Sequence, residues 1–174
     1  MLNYDAELVP FGSIPEQTKP FFLRPVEDTK AFTGFVEDWP SYLEWRSRVA
    51  ELNEPGATLT LDTPVMVCSK KEIWSETRTW IVCTRVQTAS GYKVGTIKRY
   101  TTPDQVDQRI TDFASECAKM WSPDDAYVMD IADTPDGLKI VEVNNLNSAG
   151  FYKGDMAKVV QAIEDWADDC WPCW

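Results

Sequence analysis

The segment from Tyr127 to Tyr152 constrains the fold of this chain more than any other, because two apolar runs flank an Asp-Gly pair at positions 136–137. An Asp-Gly pair between two such runs is a strong signal for a tight β-hairpin turn. The hairpin brings Asp130 on its first strand beside Glu142 and Asn144 on its second. Side chains two residues apart on a strand point to one face, so Glu142 and Asn144 share a face.

These three side chains form a cluster that offers only oxygen atoms as metal ligands. Hard divalent cations such as Mg²⁺ favour carboxylate and amide oxygens, and they commonly bridge such groups to nucleotide phosphates. The pattern therefore favours a magnesium–nucleotide site. The simpler alternative is an ordinary hairpin with a solvated acidic edge.

Composition narrows the classes of function. The chain has no histidine, which excludes a Ser-His-Asp triad, a Cys-His pair and a histidine-ligated zinc site. A formal charge of −11 argues against nucleic-acid binding, since such proteins usually display a basic face. No stretch approaches the roughly 20 apolar residues of a membrane span, and the start lacks the order of a signal peptide. A cytoplasmic protein is therefore expected.

Periodicity predicts a mixed α+β chain. The 174 residues, 44% of them hydrophobic, suffice for one domain or for two small lobes sharing a cleft. Strands are predicted at 21–23, 32–36, 65–68 and 74–85, and a turn at Thr88–Gly91. Helices are predicted at 41–52, 104–121 and about 155–169, the second beginning at Thr102-Pro103.

Three blocks of the chain, in this order, resemble the ATP-grasp superfamily: Phe21–Gly34, Ser75–Val82 and the hairpin segment Tyr127–Tyr152. They are similar to a basic strand with its phosphate-covering loop, a Glu-x-Arg strand and a metal-binding Asp…Glu-x-Asn hairpin. The sequence is similar to the clade named for one arginine and two lysines, which is found in bacteria and phages. If a phage encodes the chain, the resemblance implies a location in the host cytoplasm.

The resemblance implies an α+β ATP-grasp fold, in which two small lobes with antiparallel sheets sandwich a nucleotide cleft. Residues 1–174 would form a single ATP-grasp domain, with a first lobe at about 15–70 and a second at 71–174. ATP and Mg²⁺ are the implied cofactors. The implied metal ligands are Asp130, Glu142 and Asn144. The implied nucleotide-binding residues are Arg24, Lys30, Val67, Cys68, Ser69, Glu76, Arg78 and Arg99.

Within this set, Arg24, Lys30 and Arg78 are the implied catalytic charges on phosphate, Glu76 would meet the ribose, and the backbone at 67–69 would read adenine. Each has a plainer alternative. Arg24 could be a surface strand residue and Lys30 merely solvated. Glu76 and Arg78 could pair with each other, since they alternate on one strand face.

The resemblance implies an ATP-dependent ligase that joins a small-molecule or peptide carboxylate to an amine through an acyl phosphate. Family members usually carry an N-terminal domain, so a further domain or protein partner is expected to supply the acceptor site. Two alternatives stay open: a non-catalytic nucleotide-binding or protein-interaction module, such as a phage protein that engages a host factor, and an ATP-dependent kinase.

Overall fold

The computed structural model describes residues 1–27, 31–52 and 56–170. The chain divides into two compact units: an N-terminal unit, Asn3–Lys71, and a C-terminal unit, Met1–Leu2 with Glu72–Trp174. Each unit combines an antiparallel sheet with helical structure, which confirms the predicted α+β class. Within the described residues, no helix is long and apolar enough to cross a membrane.

The N-terminal unit is built on a sheet with strand order β1-β4-β2-β3 and one helix packed against it. Its elements are β1 (Glu7–Pro10), β2 (Phe21–Pro25), β3 (Phe35–Glu37), α1 (Trp39–Leu52) and β4 (Pro64–Ser69). Tyr42 of α1 is fully buried among Phe11, Phe21 and Val65, and its hydroxyl donates to the Phe11 carbonyl at 2.5 Å. Sequence reasoning did not find β1.

The C-terminal unit is built on a sheet with strand order β7-β6-β5-β8-β9. Its strands are β5 (Ser75–Val82), β6 (Arg85–Val94), β7 (Ile97–Lys98), β8 (Ala126–Thr134) and β9 (Gly137–Asn145), and its helices are α2 (Gln108–Met120) and α3 (Met156–Cys170). The hairpin of β8 and β9 confirms the predicted pairing, with Asp130 directly opposite Glu142.

Each face of this sheet packs against one helix. Ile81, Met129 and Ile131 pack with Ile110 and other residues of α2. Trp80, Val82 and Val128 pack with Val159 of α3 on the opposite face, because alternate strand residues point to opposite sides. The sheet is therefore apolar on both faces, at least in part.

The predicted turn at Thr88–Gly91 is wrong. These residues lie inside β6, and the chain reverses at Cys83 and Thr84, which have φ values of 49° and 64°. Positive φ at both central residues is the backbone of a type I′ hairpin turn, which normally selects Asn or Gly. Cys and Thr give no such signal, so the sequence pointed to the polar run instead.

The predicted start of α2 at residue 104 is also wrong. Pro103–Gln105 forms a separate 3₁₀ turn, and Val106 is extended. Asp107 then caps α2, its Oδ1 accepting from the Arg109 backbone N–H at 2.9 Å. The helix begins where this cap satisfies its first free N–H groups.

Candidate functional site

The sheet face beneath α3 carries charged residues beside its apolar cluster. Alternate residues of β5 point to this face, in the order Glu76, Arg78 and Trp80. Trp80 belongs to the cluster packed against α3. Glu76 and Arg78 are each only 7% exposed, so an acidic and a basic side chain are buried next to that cluster.

Arg78 and Asp130 form the centre of this charged group. They lie opposite each other in the pairing of β5 with β8. Arg78 Nε and Nη2 donate to Asp130 Oδ1 and Oδ2, each at 2.8 Å, and the Asp130 side chain is 1% exposed. These two parallel hydrogen bonds replace hydrogen bonds to water that Arg78 and Asp130 lose when they are buried. Removing either partner would leave the other uncompensated.

The β8–β9 hairpin adds a second carboxylate. Glu142 Oε1 lies 3.9 Å from Arg78 Nη2, and the Glu142 side chain is 48% exposed. Asn144 lies two residues further along β9, opposite Val128. Strand alternation puts it on the face of Glu142. The structure thus brings Asp130 and Glu142 together with Asn144 nearby, and their role as metal ligands stays a prediction.

Glu76 is bound by β6 and not by Arg78. Lys93 Nζ donates to Glu76 Oε1 at 2.5 Å, and the Tyr92 hydroxyl donates to Glu76 Oε2 at 2.7 Å. The Tyr92 hydroxyl oxygen also lies 3.3 Å from Asp130 Oδ2. The alternative that Glu76 pairs with Arg78 is therefore wrong.

Tyr92 reaches this face through an irregularity in β6. The register pairs Lys93 with Glu76 and Gly91 with Thr77, which leaves Tyr92 as an extra residue. An extra residue of this kind re-aims a side chain. Sequence reasoning missed Tyr92, and Gly91 is the signal that could have found it, because a strand glycine often marks a bulge.

The surroundings of Arg78, Asp130 and Tyr92 shift the pKa of each of these groups. Hydrogen bonds to Asp130 raise the pKa of Arg78 further, so the guanidinium keeps its charge. Burial raises the pKa of the Asp130 carboxyl, the bonds from Arg78 oppose that rise, and Glu142 adds to it. Burial and the carboxylates of Asp130 and Glu76 raise the pKa of Tyr92. Arg78 is therefore a permanent cation and Tyr92 a neutral donor.

Tyr152 was also missed, and it covers the guanidinium. Its ring centroid lies 5.0 Å from Arg78 Cζ. The ring stacks on Tyr92 at 5.1 Å and on Tyr100 at 5.4 Å, with interplanar angles of 21° and 25°. The Tyr152 backbone has a φ of 48°, which is uncommon for a bulky residue and tends to occur at functional sites.

Two further residues predicted to bind the nucleotide are Arg99 and Lys30. Arg99 is exposed, and it lines a cavity of about 190 Å³ together with Lys93, Glu76 and Asp133. Lys30 lies outside the described residues. Among the residues that are described, no group of three or more acidic or cysteine side chains is arranged to hold a metal.

Arg24, Val67, Cys68 and Ser69 belong to the N-terminal unit. Arg24 is exposed on β2, its Nε donates to the Pro25 carbonyl at 3.2 Å, and it forms no ion pair within the described residues. Val67 and Cys68 are buried in β4, which lies between β1 and β2. A strand flanked on both sides uses its backbone groups in the sheet, so adenine recognition there stays a prediction.

Comparison with known proteins finds a matching family model and several solved structures of similar fold. The matching family model describes an ATP-grasp domain, family 3 of the clade named for one arginine and two lysines, and it covers residues 5–163. No curated protein matches the chain at a significant level.

Several solved structures are similar in fold. A RimK domain ATP-grasp protein from Sphaerobacter thermophilus matches with a TM-score of 0.65 at 15% identity, over 92% of this chain and 60% of that one. D-alanine–D-alanine ligase from Bacillus anthracis, complexed with ATP, matches at 0.58 and 13%, over 92% and 57%. The ATP-grasp ligase PsnB, complexed with precursor peptide PsnA2 and AMPPNP, matches at 0.52 and 17%, over 82% and 46%. This chain therefore spans about half to three fifths of these proteins.

Proposed function

The chain belongs to the ATP-grasp family, in family 3 of the clade named for one arginine and two lysines, and on that premise we propose that it is an ATP-dependent ligase joining a carboxylate to an amine or another nucleophile. The carboxylate attacks the γ-phosphate to give an acyl phosphate and ADP, and the nucleophile then displaces phosphate. Similarity to D-alanine–D-alanine ligase and to a peptide-bound ligase supports amino-acid or peptide substrates.

The observation that carries this proposal is the buried cation of Arg78 held between the carboxylates of Asp130 and Glu142. Phosphoryl transfer needs positioned charge more than it needs covalent chemistry from the protein. Arg78 would neutralise phosphate oxygens, together with Arg24, Lys30 and Arg99. Glu76 and the strand at 67–69 would contact ribose and adenine.

The hairpin residues fit a hard cation, because Asp130, Glu142 and Asn144 offer only oxygen donors on this face. Glu142 is half-exposed, so its carboxylate is accessible to an incoming ligand. When bound there, Mg²⁺ would offset negative charge on the phosphates. The chain's own part is to orient the ligand oxygens and to keep Arg78 charged beside them.

A non-catalytic nucleotide-binding module is the second candidate, and one observation favours it. Asp130 and Glu76 already have both carboxylate oxygens engaged by protein donors. Carboxylates that are engaged in this way stabilise the sheet without taking part in catalysis, as a non-catalytic module would require. Product analysis separates the hypotheses: ADP with an amide indicates a ligase, ADP with a phosphoester indicates a kinase, and no turnover indicates a binding module.

The test compares Glu142→Gln with Asp136→Asn. ADP release is measured with MgATP and a panel of amino acids and peptides, with hydroxylamine added to trap an acyl phosphate. Glu142→Gln should lower the rate about a hundredfold, roughly 3 kcal/mol, because it removes one charge at the reacting phosphates. Asp136 lies in the hairpin turn at the far end of the strands, so Asp136→Asn should be nearly silent. Equal effects of the two substitutions would contradict the proposal.

A further inference from the structure

Asp130 already has a counter-ion inside the protein. Both its carboxylate oxygens accept hydrogen bonds from Arg78 at 2.8 Å, and the Tyr92 hydroxyl oxygen is 3.3 Å from Oδ2. The side chain is 1% exposed. Any metal ion that binds Asp130 and Glu142 must therefore approach a guanidinium of like charge in a buried setting, where such repulsion is poorly screened.

Arg78 is held in this place by aromatic rings as well as by carboxylates. Arg78 Cζ lies 5.0 Å from the Tyr152 ring centroid and 5.9 Å from that of Tyr92. Tyr152 keeps this position with a φ of 48°, a conformation that costs a non-glycine residue free energy. Its surroundings, which include the stacked ring of Tyr92, must offset that cost. Tyr152 thus restrains the face of the guanidinium, and Asp130 restrains its N–H edge.

We propose that Arg78, positioned by Tyr152, makes this site select a metal–nucleotide complex over a free divalent cation. The inference rests on the proposed function, whose ligand carries phosphates. Phosphate oxygens accept two-point hydrogen bonds from a guanidinium as carboxylates do. A nucleotide can therefore compensate Arg78 while Asp130 turns to the metal. A free divalent cation carries no hydrogen-bond acceptor for Arg78, and the guanidinium repels its charge.

The test measures binding of Mn²⁺ alone, followed by its paramagnetic resonance signal, and the change in melting temperature that Mn²⁺ causes. Arg78→Gln should melt lower than wild type without metal, because Asp130 is then buried unpaired. Mn²⁺ should raise its melting temperature and bind roughly tenfold or more tightly than to wild type, since a nearby like charge is gone. Arg109→Gln is the matched control, because Arg109 is an exposed arginine that pairs with Asp107 and Asp133. It should bind Mn²⁺ like wild type.

A second pair of variants tests Tyr152 and covers the case in which Arg78→Gln fails to fold. Tyr152→Leu removes the aromatic face and should tighten Mn²⁺ binding several-fold, whereas Tyr152→Phe keeps the ring and should match wild type. Unchanged Mn²⁺ affinity in Arg78→Gln and Tyr152→Leu would overturn the inference, as would tight Mn²⁺ binding by the wild type without nucleotide. If MgATP stabilises the wild type while Mn²⁺ affinities stay equal, only this inference fails. If MgATP does not bind at all, the proposed function fails too.

Discussion

Tyr92 shows how much of the site depends on one side chain that carries no charge. Its hydroxyl donates to Glu76 at 2.7 Å, and the Glu76 side chain is only 9% exposed. Lys93 alone would leave one Glu76 oxygen without a protein donor. Buried carboxylate oxygens require such donors, and the Tyr92 hydroxyl supplies the donor for the second Glu76 oxygen.

We predict that Tyr92→Phe lowers the free energy of unfolding by roughly 1.5–3 kcal/mol, the range for a hydrogen bond to a charged group. Urea-induced unfolding measures this value. Tyr100→Phe is the control, since the Tyr100 side chain is part of the same stack and its hydroxyl makes no hydrogen bond within the described residues. It should change the value by less than about 0.5 kcal/mol. Similar losses in both variants would assign the effect to the aromatic stack.

At the scale of elements, the β5–β6 turn stores backbone strain. Thr84 has a φ of 64°, which a β-branched residue rarely adopts. We predict that Thr84→Gly raises the free energy of unfolding by roughly 1 kcal/mol, because glycine adopts this conformation freely.

Gly137, with a φ of 90° in the β8–β9 turn, provides the opposite test. Gly137→Ala should lower stability by a similar amount, although no atom lies within 4 Å of the added carbon. Denaturant titration of both variants measures whether the free energy of unfolding rises in Thr84→Gly and falls in Gly137→Ala.

The other element-scale prediction concerns the segment before β1 and the end of β4. Asp5 accepts hydrogen bonds from Lys71 Nζ and Ser69 Oγ, each at 2.6 Å. Burial raises the pKa of Asp5, but these bonds outweigh it and lower the pKa from 3.8 to about 2. A depressed carboxyl pKa stabilises the fold above the unfolded value and loses this effect as pH falls through the folded value.

Asp5→Asn should therefore melt below wild type at pH 7, and the difference should shrink as the pH falls from about 4 to 2. Melting curves across this range measure it. Asp62→Asn removes an exposed carboxylate in the same unit and should show little difference at any pH. A difference for Asp5→Asn that stays constant down to about pH 2 would argue against the ion pair as its cause.

At the scale of the whole molecule, nucleotide binding should appear as stability. A ligand that binds only the folded state stabilises it by mass action, by about 2.7 kcal/mol at a concentration of about 100 times Kd. For a chain of 174 residues this corresponds to roughly 5–10 °C in melting temperature. MgATP or MgADP should produce such a shift, and the shift should be smaller in Glu142→Gln than in Asp136→Asn. If neither nucleotide with Mg²⁺ shifts the transition at millimolar concentration, the family's nucleotide site is not functional here.

Features that depend on near neighbours in the chain could be predicted from the residues alone. The Asp-Gly pair at 136–137 predicts the hairpin that brings Asp130 near Glu142, and β8 and β9 form it. The turn alone would pair Asp130 with Val141, and a one-residue shift between Asp130 and Ile131, which was not predicted, places it opposite Glu142. The period of apolar residues located α3 almost to its ends. Local prediction failed at Cys83-Thr84, where residues unsuited to a type I′ turn form one under the constraint of the strands on either side.

The contacts between charged residues that are distant in the chain could not be predicted from local patterns. Arg78 and Asp130 are 52 residues apart, and β6, β7 and α2 lie between their strands in the chain. Their contact exists because β5 pairs with β8 in the sheet. No turn links these two strands. β5 and β8 lie side by side in a sheet whose two faces are buried under α2 and α3. The alternation of residues within each strand does not predict which strands are neighbours. Tyr92 comes to Arg78 through the neighbouring hairpin of β5 and β6, whereas Tyr152 reaches it from the segment after β9, 74 residues further along the chain.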